Sequence, residues 1–357
     1  MEDKKDLVIT SEELATLLND AVAKGIAPME EELKRKVLSN EVTKEVKDLV
    51  GIEKAAKWLQ AIAMGDYNTV KALSEGVGAD GGYIVPTEFR AIVIEKLQKA
   101  AVIRPYAQVI PMGRNKLEVP VEGSAVTASW KGENVDLDET NPDFGQIVLD
   151  TNKLTGLSIM SRELLADTPI NLVNYIAGRF ANAFAQAEDK AFMTGAGTTE
   201  PKGLRQYTVG GGDQLGADLT GDDLITLFYG LPAQYRKNSV WLMHNNIIAL
   251  CRKLKDGVLG RYLWTDGLGD APATILGRPV LEQNDIPIDL GVGNDESEIW
   301  LGDLQFYLIG DRQTMEVEQS TQAGDAFVKH QLWLKVIERL DGQLALTDAF
   351  VKLAKVK

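Results

Sequence analysis

One cysteine, Cys251, and two histidines, His244 and His330, are the only thiol or imidazole groups in 357 residues. A single thiol cannot close a bridge within the chain, so the fold has to stand without disulfides, as a protein folded in a reducing cytoplasm does. Zinc usually takes three or four Cys or His ligands, which would require all three residues to converge. A thiol–imidazole nucleophile needs its two groups within hydrogen-bond reach. His244 and Cys251 are seven positions apart, which is roughly 10 Å along a helix. Nothing around His330 points to either of them. Cys251 therefore reads as a small buried apolar residue.

Catalytic signatures are missing too. No G-x-S-x-G, Walker or H-E-x-x-H pattern is present. The carboxylate pairs Asp222-Asp223 and Glu188-Asp189 fall at a helix start or on the polar face of a helix. A dipole or solvation role suffices for both. The sequence thus nominates no catalytic residue, no cofactor site and no metal site, and an enzyme is not expected. No stretch approaches the roughly 20 apolar residues of a membrane helix. The opening Met1-Glu2-Asp3-Lys4-Lys5-Asp6 carries both signs of charge and no apolar run follows, so neither a signal peptide nor a membrane partner is expected.

Basic charge is in short supply. Acids number 52 against 38 bases, a net charge of −14, and no run of bases exceeds Lys34-Arg35-Lys36. Proteins that grip nucleic acid do so by neutralising phosphates with Lys and Arg. A specific nucleic-acid binder is not expected, whereas an acidic surface that tolerates nearby nucleic acid fits.

What is present is ordinary globular material, 45% apolar and 25% charged, long enough for two or three packed units. Residues 1–73 stand apart, with 14 acids, 11 bases and only Trp58 and Tyr67 as aromatics. Thr10-Ser11-Glu12-Glu13 is a capping-box start. Leu14, Leu17, Leu18 and Ala21, then Leu33/Val37 and Val42/Val46/Leu49, keep helical spacing. This is a charged helical segment with thin apolar stripes, either pairing with other helices or simply solvated. Gly76 to Gly82 imitates a G-x-G-x-x-G fingerprint, but that loop works only between a strand and a helix N-terminus. Helix precedes it here and Tyr83-Ile84-Val85-Pro86 follows. It reads as a hinge.

A helix is expected over about 87–100, and Leu117, Val119 and Val121 alternate like a half-buried strand. Residues 124–161 read as a long hairpin, out along Val126–Trp130 and back along Ile147–Leu149 to Leu157–Ile159. Its tip holds Glu133, Asp136, Asp138, Glu139 and Asp143 against Lys131, a net charge of −4. With no apolar cluster to fold onto, such a tip is either solvated or laid on a neighbour's basic surface. From Asn171 to Thr194 runs the strongest helix, with Val173, Ile176, Ala177, Phe180, Phe184, Ala187 and Ala191 on one face. It ends at Gly195-Ala196-Gly197.

Residues 218–320 alternate helix and strand signals: helix over Thr220–Arg236, strand over Ser239–Met243, and Asn245 as cap of a helix to Leu254. Strands are expected at Pro279–Glu282, Ile299–Leu301, Phe306–Ile309, Thr314–Val317 and Val328–Arg339. A turn at Asp341-Gly342 and a last strand near Phe350–Leu353 close the chain. The class is α+β.

In order, these segments resemble the major capsid protein family of tailed bacteriophages, built on the Hong Kong ninety-seven phage fold. The resemblance rests on Gly81-Gly82-Tyr83-Ile84-Val85-Pro86, Ile103-Arg104-Pro105-Tyr106-Ala107, Ser129-Trp130-Lys131-Gly132-Glu133-Asn134 and Phe144-Gly145-Gln146-Ile147. It continues through Ser161–Asp167, Ala187–Phe192, Gly195–Thr198 with Pro201-Lys202-Gly203, and Leu276–Val280, and so covers 81 to about 310. It implies a P domain (87–123, 162–205 and 322–357) around a spine helix at 171–194, whose packing residues are Ile176, Phe180 and Phe184. It also implies an A domain at 206–321, an extended E-loop at 124–161 and an N-terminal arm at 74–86. Residues 1–73 resemble the scaffolding (delta) segment of the family, which a phage protease removes, with Ser74 as a candidate boundary.

The implied function is self-assembly into hexamers and pentamers of an icosahedral virion shell that encloses double-stranded DNA, formed in the bacterial cytoplasm. Implied partners are other copies of the chain, a portal and the protease. Lys131, Glu133, Asp136, Asp138, Glu139 and Asp143 would serve assembly. An encapsulin-type nanocompartment shares the fold and is the nearest alternative, disfavoured by the leader. A cytoplasmic oligomeric enzyme is the remote one.

Overall fold

The computed structural model describes residues 54–62, 64, 66, 68–70, 87–122, 144–167, 169–214, 218–255, 274–291, 293 and 295–357. Helical residues 54–62 are followed by α1 (Thr87–Ala100), β1 (Gln108–Pro111), β2 (Lys116–Glu122), β3 (Phe144–Asp150), β4 (Asn152–Ser161), α2 (Arg162–Asp167) and α3 (Pro169–Thr194). Then come β5 (Gly210–Asp213), α4 (Gly221–Gly230), α5 (Ala233–Arg236), β6 (Val240–Met243), α6 (Asn245–Lys253), β7 (Thr274–Ile275) and β8 (Arg278–Glu282). The chain closes with β9 (Ser297–Gly302), β10 (Tyr307–Ser320), β11 (Gln331–Leu344) and β12 (Phe350–Val356).

Two larger sheets organise these elements. The first runs β1-β10-β11-β4, with β1 parallel to β10 and the other pairings antiparallel. On it lies α3, because Val173, Ile176, Ala177, Phe180, Ala181 and Phe184 recur at helical spacing. They are buried with Met160, Leu332, Leu334 and Val336 from the strands and with Phe89, Val93 and Leu97 from α1. Burying each large apolar side chain contributes about 1.5–3 kcal/mol. Gly156 on β4 makes the approach possible: a Cβ there would stand 2.7 Å from Cε2 of Phe184.

The same core contains Ala55, Trp58, Leu59 and Ile62. Trp58 lies with its ring centroid 6.5 Å from that of Phe89, and Arg162 donates through Nη2 to the Ile62 carbonyl at 2.8 Å. The boundary drawn at residue 73 therefore separates sequence that packs together. The apolar stripe there is thin in count, but an indole buries as much surface as several aliphatic side chains.

The second sheet runs β5-β12-β9-β6-β8-β7. Every residue of β6 and β9 is buried, as expected of central strands covered on both faces. Trp241 and Trp300 fill the interior, with Leu224 and Leu227 of α4 and Ile247 and Cys251 of α6 packed in the same core. That core also takes Phe192 and Met193 from the end of α3, and Ile309, Leu340 and Leu344 from the first sheet. So α3 begins in one core and ends in the other.

Several expected boundaries move. The paired hairpin arms are β2 and β3, from Lys116 opposite Asp150 to Glu122 opposite Phe144, and not 126–130 with 147–159. After Thr151 the chain leaves that hairpin, and β4 pairs with β11 instead. Phe306–Ile309 and Thr314–Val317 belong to one strand, β10, whose register shifts between Asp311 and Gln313 and between Gln313 and Glu316. Bulges break the period of two, so one strand reads as two.

Strand β10, expected within 206–321, belongs to the first sheet, while β12, expected with 322–357, completes the second beside β9. Asp341-Gly342 is no turn but part of β11: a Cβ on Gly342 would lie 2.6 Å from the Tyr307 hydroxyl, so the glycine answers to packing. The helix expected over 220–236 breaks at Leu231-Pro232 into α4 and α5, as proline requires. His244, not Asn245, caps α6, its Nδ1 accepting from the Asn246 N–H at 3.1 Å.

Candidate functional site

Where the two cores meet, a buried charge cluster joins four pieces of chain. Arg104, in the segment between α1 and β1, forks onto Glu188 of α3, with Nε to Oε2 at 2.8 Å and Nη2 to Oε1 at 2.9 Å. Its Nη1 donates to Asp311 of β10 at 2.7 Å, and Nη2 reaches Glu338 of β11 at 3.5 Å. Paired charge-assisted bonds of this kind are the strong and directional ones. Burial opposes the arginine's charge, but Glu188 and Asp311 hold it firmly protonated.

Burial raises the Glu188 carboxyl against the pull of Arg104. Glu338 is pushed up to about 9, first by burial and then by the charge of Glu188. It therefore keeps its proton at neutral pH. Its buried Oε2 faces no donor, and a proton shared with Glu188 resolves that orphan. Two ionised carboxylates and one neutral acid then surround one guanidinium.

Next along α3, Asp189 accepts the N–H groups of Val102 and Ile103 at 2.8 and 3.0 Å. Burial pushes its carboxyl up to about 6. On the far strand Asp341 accepts the Asp150 N–H at 2.8 Å, fastening the base of the β2–β3 hairpin to β11. A second ion cluster lies in the other sheet, where Arg205 Nε meets Glu298 Oε2 at 2.8 Å and the Trp300 indole donates to the same oxygen at 3.1 Å. Burial alone would raise Glu298; the hydrogen bond and charge of Arg205 outweigh it, and the carboxyl is lowered.

These groups hold chain segments together and expose no nucleophile. Cys251 is buried, its thiol pushed up to about 12 by burial. Among the described residues, no His, Cys, Asp and Glu are grouped to hold a metal ion, and no helix is long and apolar enough to cross a membrane.

The outer surface offers contacts of another kind. Phe327 and Val328 are 81% and 86% exposed at the turn between β10 and β11. Leu157 and Ile159 are 56% and 48% exposed on edge strand β4, on the side away from α3. Tyr175 on α3 and Tyr229 on α4 also face outward. Surface apolar groups spread over both lobes suit repeated contact with other molecules.

Of the residues singled out from sequence, Ile176, Phe180 and Phe184 sit on the buried face of α3. Lys131, Glu133, Asp136, Asp138, Glu139 and Asp143 lie outside the described residues, as do Ser74 and the segment 74–86. Asp223 takes part in a capping box with Thr220 at the start of α4, a helix-start role of the kind expected. Glu188-Asp189 do not fit the expected solvated role. Both are buried, and Glu188 falls four positions after Phe184 on the apolar stripe. That spacing was the available signal: a carboxylate on a buried face requires a cation, and Arg104 stands in an otherwise uncharged Ala100–Gln108 segment.

Comparison with known proteins supplies the context. Residues 81–355 match a family model described as Phage capsid family. The chain is similar to the major capsid protein of Klebsiella oxytoca phage phiKO2, 25% identical over 299 residues that cover 78% of this chain and 69% of that protein. It is 26% identical to the major capsid protein of Escherichia phage T5 over 214 residues, 57% of this chain and 44% of the other. Among solved structures, the subunit described as the capsid of the native GTA particle superposes with a TM-score of 0.61 at 26% identity, over 72% of this chain and 91% of that one. A structure from Microbacterium phage Oxtober96 aligns with a TM-score of 0.55 at 16% identity, a likeness of fold alone.

Proposed function

The chain belongs to the phage capsid family, and from that membership we propose that it is the major capsid subunit, assembling with copies of itself into hexamers and pentamers of an icosahedral virion shell. The observation that carries this reading is the extent of the family match, 81–355, which spans both sheets and the helix that joins them. The subunit works by contact and not by turnover. Hexamers and pentamers need head-to-tail interfaces that close into rings, made by one chain in slightly different surroundings. A stiff body held by the Arg104 cluster, with exposed apolar groups on both lobes, suits that demand.

In this reading the four-stranded sheet with α3 is the P domain and the six-stranded sheet is the A domain. The β2–β3 hairpin carries the E-loop, residues 74–86 form the N-terminal arm, and 1–73 act as an internal scaffolding segment. The shell encloses double-stranded DNA, and a net charge of −14 lets it contain phosphates without holding them. Assembly takes place in the bacterial cytoplasm, with a portal and a phage protease as further partners.

Sedimentation and electron microscopy of the purified chain test the proposal. Closed particles of many copies are expected, and a discrete small oligomer of the size typical of enzymes would overturn it.

A further inference from the structure

On the outer face of the four-stranded sheet, Lys153 of β4 lies directly opposite Arg339 of β11. Like charges facing each other across a strand pair are destabilising. Nothing nearby relieves them: among the described residues no carboxylate forms an ion pair with either, and the buried Arg339 Nε has no hydrogen-bond partner. The neighbouring Glu338 points to the opposite face, toward Arg104. Further along the same face, Lys335 does have its acid, Glu318, so the sheet neutralises one cation and leaves this pair bare. Beside the pair run Leu157 and Ile159, exposed on the same side of β4.

We propose that the Lys153–Arg339 pair is the docking point for the acidic segment 131–143 of a second copy of this chain. The segment's five carboxylates against Lys131 supply the missing opposite charge, and a basic patch meeting an acidic one fixes register between subunits. Within one molecule the β2–β3 ladder leads away from the pair: from Lys116–Asp150 to Glu122–Phe144 is six steps, about 20 Å at strand rise. The hairpin thus presents its acidic end outward, where a neighbouring sheet face receives it. The inference rests on the shell reading above and names the receiving surface that reading lacks.

The test uses the full chain. Lys153→Glu gives Arg339 an acid in its own sheet, so subunit stability should hold or rise, while assembly followed by light scattering should need at least tenfold more protein. Combining it with Asp136→Lys, Asp138→Lys and Glu139→Lys should restore assembly. Separately, Lys153→Cys and Asp138→Cys chains mixed before assembly and mildly oxidised should yield disulfide-linked dimers within shells. Shells that form at the wild-type concentration with Lys153→Glu, or mixed shells without dimers, would overturn the docking while leaving the shell reading standing. Absence of shells from the wild-type chain would overturn both.

Discussion

Arg104 ties the segment after α1 to α3, β10 and β11 through side-chain bonds to Glu188, Asp311 and Glu338. Removing one member of a buried ion cluster leaves its partners uncompensated. Arg104→Met should therefore lower subunit stability by about 3–5 kcal/mol, read as a fall in the urea midpoint. Glu338→Gln should cost within about 1 kcal/mol at neutral pH, because the side chain it replaces is already uncharged there. The pH dependence has a definite sign. Glu338 is raised from 4.5 to about 9 and Asp189 from 3.8 to about 6, so the folded state holds protons that the unfolded state has released. Their stabilisation is complete below the ordinary carboxylate range and is lost as pH climbs through those values. Glu298, lowered by Arg205, runs the other way and loses its contribution only in acid. Stability measured by urea melts should decline between about pH 5 and pH 9, and the part of that decline above neutral should vanish in Glu338→Gln.

Among the elements, α3 and β4 are matched by one missing side chain. Gly156→Val would drive a branched side chain into Phe184 and Phe180, and overpacking of this kind costs about 1–3 kcal/mol. Adding Phe184→Ala should recover part of that loss, and additive losses in thermal melts would contradict the contact. The long helix was readable because its apolar residues keep one period over 26 residues. The central strands β6 and β9 were readable as unbroken apolar runs. Strand partners were not, since register in β10 is interrupted by bulges and the exchange of β12 into the second sheet depends on contacts far apart in sequence. The buried pair Glu188-Asp189 was misread for a related reason: a carboxylate's burial is decided by Arg104, 84 positions away. Trp58 poses the same problem for the leader, whose helical residues 54–62 share a core with α1 and α3. If a protease does cut near Ser74, intact-mass spectrometry of mature particles should find chains starting close to that residue, and full-length subunits would end the cleavage proposal.

At the scale of the whole molecule, two sheets share one helix and one charge cluster, so the subunit has a stiff junction between lobes that each carry exposed apolar groups. A body of this kind gains from burying its outward side chains against copies of itself, and ring closure turns those weak contacts into a shell. The most direct measurement is a cryo-electron-microscopy reconstruction of particles formed by the purified chain. The expected result is a closed shell whose density fits this two-sheet body in rings of five and six. A folded subunit that stays monomeric at high concentration, with no particles on the grid, would contradict the account.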